Sequence, residues 1–122
     1  MSAAVLERPG AATIDAGIAH DPVHFAGLGR SVVATLHDYT GHAALAALDD
    51  LAFDAGELMH MAISKCDRRG SAHAAGKLDQ AIALTAILID HEQSGEWDSL
   101  GAALYLLRVA QQQFNETREG WE

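Results

Sequence analysis

A chain of 122 residues is enough for one domain that buries roughly two thirds of its unfolded surface without disulfide or metal support. Hydrophobic residues make up 49% and charged residues 20%, which places it among globular rather than disordered chains. Eight Lys and Arg against seventeen Asp and Glu give a formal charge of −9, which disfavours nucleic acid and anionic membrane surfaces and suits, if any charged partner, a basic protein.

Cys66 is the sole cysteine, so no internal disulfide can form. The segment MSAAVLERPGAATIDAG lacks the basic start and continuous apolar stretch of a secretory signal. The longest apolar run, Ala81 to Ile89, interrupted by Thr85, falls far short of the roughly 20 residues that a membrane span needs. Together these features point to a cytoplasmic protein.

In chain order, residues 1–20 contain Pro9, Gly10 and Gly17 without any sustained period, and read as a flexible N-terminal arm. Residues 21–122 read as the bundle domain. Asp21 is a good helix N-cap and Pro22 suits the first helical position, where its missing N–H costs nothing. Phe25, Leu28, Val32, Leu36 and Tyr39 then recur every three to four residues as the core stripe of a first helix ending near Gly41.

A second helix is predicted from about His42 to Arg69, with Leu45, Leu48, Ala52, Ala55, Met59, Ala62 and Cys66 as its buried stripe and Gly70 as its terminator. At about 1.5 Å per residue it would be a rod of about 40 Å. Ser71 is the expected cap of a third helix with Leu78, Ala81, Ile82, Thr85, Leu88 and Ile89 inward. HEQSGEWDS reads as a turn, after which Leu100, Ala103, Leu104, Leu107, Ala110 and Phe114 define a fourth. Four amphipathic helices with short links predict an all-α, up-and-down four-helix bundle of long antiparallel helices. The alternative is a pair of helical hairpins completed by a second chain.

The segment GELMHMAISKC, from Gly56 to Cys66, gathers a carboxylate, an imidazole, an ammonium and a thiol on one helix. At 100° per residue, Glu57 lies roughly 180° and His60 roughly 125° from the centre of the stripe, so both face away from the core. A di-metal bundle needs such groups inward and needs the motif twice, and the chain offers neither. Outward orientation is what a histidine phosphotransfer domain requires. There the His-x-x-Lys-Gly pattern is expected, but Ile63 and Ser64 occupy the Lys and Gly positions after His60, and Gly76 and Lys77 follow His73 in reverse order. His20 and His24 are a weak zinc pair straddling the cap. Cys66, on the stripe, is expected to be buried and inert. With no nucleophile context and no glycine-rich phosphate loop, the expectation is a protein without catalytic residues, metal or cofactor.

Phe53 falls about 145° from the core centre, beside Glu57 and His60. In the fourth helix Ala102, Leu106 and Val109 form a second apolar strip bordered by Tyr105, and Leu84 and Ile87 lie off the stripe of the third. Such breadth means either crowded positions in one compact bundle or contact with another chain. The expectation is a small acidic adaptor, chaperone or inhibitor that binds a protein partner through Phe53, Glu57, His60, Tyr105, Leu106 and Val109. A homodimer is the commonest form of such contacts. Phosphotransfer through His60 is the alternative.

From Leu51 to Trp121 the order LAFDAG, KLDQAIALTAIL, GEWDSLGAALYLL and a late Trp resembles the flagellin export chaperones. That resemblance implies a small acidic helical bundle that wraps a partner's disordered terminus. The chain departs from the family in lacking its tyrosine-rich start and its final helix, and no residue roles carry over. EWDSLGAALYLL also resembles small proteobacterial helical proteins.

Overall fold

The computed structural model describes residues 21–91 and 97–121, so the expected arm over residues 1–20 and most of the HEQSG turn lie outside the described residues. Among the described residues four helices follow one another: α1 (Pro22–Thr40), α2 (Ala43–Lys65), α3 (Arg68–His91) and α4 (Ser99–Glu119). Each packs along its neighbour in sequence, and α1 also packs along α4. The result is the expected up-and-down bundle, closed into a ring of four seams.

Local chemistry sets the first boundaries. The Asp21 side chain accepts the His24 N–H at 3.1 Å, and Pro22 occupies the first turn. α1 stops at Gly41, whose φ of 68° is the left-handed conformation that costs glycine nothing; its amide donates to the His37 carbonyl at 2.6 Å. One residue later His42 caps α2, its Nδ1 accepting the Ala44 N–H at 3.2 Å.

The continuous rod from His42 to Arg69 is not what forms. α2 ends at Lys65, and Cys66 takes a left-handed conformation with φ of 50°. Its amide donates to the Ile63 carbonyl and that of Asp67 to the Ala62 carbonyl, the paired bonds of a Schellman motif. The Asp67 carboxylate then accepts the Gly70 N–H at 3.0 Å, which starts α3. Gly70 therefore sits inside the first turn of α3, and Cys66 is exposed rather than buried. Ser71 is not the cap either. Its hydroxyl is buried, donating to the Arg68 carbonyl at 2.7 Å and accepting from Arg118 Nε at 2.9 Å, which ties α3 to the end of α4.

The core follows the expected stripes in α2, α3 and α4. Leu45, Leu48, Met59, Leu78, Leu100, Leu107 and Phe114 are fully buried, and Ile82, Leu88 and Ile89 pack against them half-buried. Thr85, also buried, satisfies its hydroxyl on the Ala81 carbonyl at 2.6 Å. Among the described residues eight of the seventeen buried apolar side chains are alanines, so the helix axes can approach closely.

α1 is rotated from the expected stripe. Pro22, Ala26, Gly29, Val33 and Leu36 face inward, the expected Phe25 and Val32 pack against the core half-buried, and Leu28 and Tyr39 are turned out, 40% and 87% exposed. The cause is the α1–α4 seam. A Cβ at Gly29 would stand 3.1 Å from the Leu107 side chain and 3.4 Å from the Ala103 carbonyl. Only the small face of α1 fits that approach, and the larger residues are turned to its flanks.

Candidate functional site

The ring of seams decides which outward residues can act together. Phe53, Glu57 and His60 stand on α2, whereas Tyr105, Leu106 and Val109 stand on α4. These two helices share no extensive seam, because α1 and α3 lie between them. The six residues therefore form two surfaces.

The first is a groove of about 380 Å³ between α1 and α2. It is lined by Val23, Gly27 and Arg30 of α1 and by Ala52, Phe53, Gly56, Glu57 and His60 of α2. Phe53 is 45% exposed, and Glu57 and His60 are exposed, as their helical azimuths require. Arg30 crosses the seam: its Nε donates to Asp49 Oδ1 at 2.9 Å, and its guanidinium lies 4.7 Å from the centre of the Phe53 ring. With Arg30 only partly exposed, the pair and the cation–π contact contribute about 1 kcal/mol together, and they hold Phe53 in place more than they stabilise the fold.

Two glycines open this groove. A Cβ added at Gly27 or Gly56 would meet nothing within 4 Å. Neither glycine is needed for packing inside the bundle, yet each costs its helix about 1 kcal/mol relative to alanine. Gly76 and Gly101 are equally open, on α3 and α4, but do not line this groove. Arg30, Val23 and the glycines escaped sequence reasoning, because their relevance depends on which helix lies beside α2.

The second surface runs along the α1–α4 seam. On α4, Leu106 and Val109 are half-buried and Tyr105 is 68% exposed. α1 adds the half-buried Val32 and, exposed against the expectation of a core position, Leu28 and Tyr39. A shallow apolar depression of about 440 Å³ is lined by Ser31, Val32, Thr35, Leu36 and Tyr39 with Ser99 of α4.

Among the described residues no group of three His, Cys, Asp or Glu is placed to hold a metal ion, and no helix is long and apolar enough to cross a membrane. His20, half of the possible zinc pair, lies outside the described residues. His42 and His91 line one cleft at an end of the bundle, where the His42 ring stands edge-on to Trp97 at 4.9 Å. At the other end Cys66 and Arg68 share a cleft with Trp121, whose ring meets Phe114 edge-on at 6.4 Å.

No family model matches the chain, and no match is found among the curated proteins or the solved structures.

Proposed function

We propose that the chain is a non-enzymatic protein-binding module that receives an amphipathic, basic segment of a partner in the α1–α2 groove. The observation that carries this reading is the pair Gly27 and Gly56. Two mid-helix glycines, unneeded by the fold, hold open a groove whose apolar element, Phe53, is braced by Arg30. A docking chain supplies the reason for that space: its side chains occupy the volume that two Cβ atoms would take. The exposed carboxylates of Asp50, Asp54 and Glu57 on the same helix favour a cationic partner, while Arg30 is already engaged by Asp49. This reading uses no cofactor or metal.

Cationic amphipathic peptides titrated into isotope-labelled protein provide the test. Amide shifts are expected to cluster at Val23, Gly27, Phe53, Gly56 and His60 and to vanish in Gly56→Leu, whose folding remains intact. Binding that survives Gly56→Leu, or shifts scattered over the other seams, would refute the groove. Phosphotransfer through His60 is the second reading, favoured by the exposed imidazole at the groove edge. A labelled phosphodonor that modifies wild type but not His60→Gln supports it; equal labelling of both removes it.

A further inference from the structure

We infer that the α1–α4 face is the contact between two copies of this chain, a surface separate from the groove proposed for the partner. Charge is the first argument. Leu28, Val32, Thr35 and Tyr39 of α1 and Ala102, Leu106 and Val109 of α4 form a strip without a single Asp, Glu, Lys or Arg, on a molecule of net charge −9. Carboxylates stand only at its margins, as with the exposed Asp38 one turn from Thr35. A second copy, equally acidic, approaches at low electrostatic cost only across such a strip.

Area is the second argument. Tyr39 and Tyr105 are 87% and 68% exposed and Leu28 is 40% exposed. With the half-buried Val32, Leu106 and Val109 they offer about 600 Å² per copy, close to the lower bound of a stable two-copy interface. An exposed apolar patch of that size stands at the upper end of what monomers show and is often a functional surface.

Helical register supplies the geometry. A two-fold axis passing between Val32 and Thr35 lays the two α1 helices antiparallel. Leu28 of one copy then meets the partner's Tyr39, and Val32 meets the partner's Thr35, each contact occurring twice as an isologous interface requires. The depression lined by Val32, Thr35, Leu36 and Tyr39 receives the opposing side chains. Within one copy Leu28 and Tyr39 are separated by about 16 Å of helix, too far to pair with each other.

Sedimentation or light scattering on the full chain tests this. Wild type is expected at twice the 12.9 kDa chain mass at about 100 μM. Leu28→Glu and Tyr39→Lys, both at exposed positions, are each expected to weaken association about 100-fold by burying an uncompensated charge. Combining Leu28→Glu with Tyr39→Lys in one chain restores the dimer, because each glutamate then faces a lysine of the other copy. Ile87→Glu, on the exposed face of α3, leaves the mass unchanged, and helical circular dichroism checks folding in every variant. A wild-type chain that stays monomeric overturns the inference and leaves the face to a different protein. A dimer indifferent to both single changes, or a double variant that fails to recover, also overturns it.

Discussion

The Cys66→Gly substitution separates two accounts of the α2–α3 region by the sign of its effect. Cys66 holds φ at 50°, a conformation in which its Cβ crowds the following carbonyl at a cost of about 1–2 kcal/mol. Glycine removes that cost but brings greater freedom to the unfolded chain, which returns about 0.4–1 kcal/mol. The net expectation is stabilisation by about 0.5–1 kcal/mol. The two bonds that define the cap, Cys66 N–H to Ile63 and Asp67 N–H to Ala62, involve only backbone and survive the change. Urea unfolding followed by helical ellipticity should show a midpoint raised by about 0.5 M with an unchanged slope. Had the helix run unbroken to Arg69, glycine would destabilise it by about 1 kcal/mol and would also empty a core position. A lowered midpoint would therefore refute the break at Cys66. The exposed thiol offers a companion measurement: it should react with a disulfide reagent in the native protein as fast as in the unfolded one.

Gly29→Val should destabilise the bundle by about 2–3 kcal/mol, because its first added carbon already stands 3.1 Å from Leu107. Gly27→Ala, two residues earlier and in open space, should stabilise it by about 0.5–1 kcal/mol; thermal melts of the pair check both signs. Asp21→Ala removes the acceptor of the His24 N–H and should cost about 1 kcal/mol, read from the same melts. Phe114→Ala should cost about 3–5 kcal/mol in chemical unfolding, and the loss of its edge contact with Trp121 should red-shift tryptophan emission before unfolding begins.

What could be read in advance was the chemistry confined to one turn of chain. Asp21, Pro22 and Gly41 act on backbone groups within four residues, so their roles are visible without a fold. The α4 stripe was equally plain, since Leu100, Leu107 and Phe114 are both large and regularly spaced. α1 misled because periodicity favours large apolar side chains, whereas its seam with α4 selects the small ones, Ala26 and Gly29. The α2–α3 break was hidden because apolar spacing continues through Cys66, and the left-handed turn uses a residue with a Cβ where glycine is expected. Phe53, Glu57 and His60 were placed outward correctly by helical azimuth alone. That they share a groove with Arg30, and lie across the bundle from Leu106 and Val109, depends on the order of helices around the ring, which no single helix encodes.

The seam that Gly29 permits has a kinetic meaning. Three of the four seams join helices adjacent in sequence, while Gly29 and Leu107 are 78 positions apart (107 − 29). Bringing them together costs about 2 kcal/mol more chain entropy than closing a loop of about ten residues, so this seam forms late on the folding path. Changes at Gly29 should then speed unfolding and leave the folding rate nearly untouched. The strip shared by α1 and α4 exists only once that last step is complete, so a nascent or partly folded chain presents no such surface to its copies.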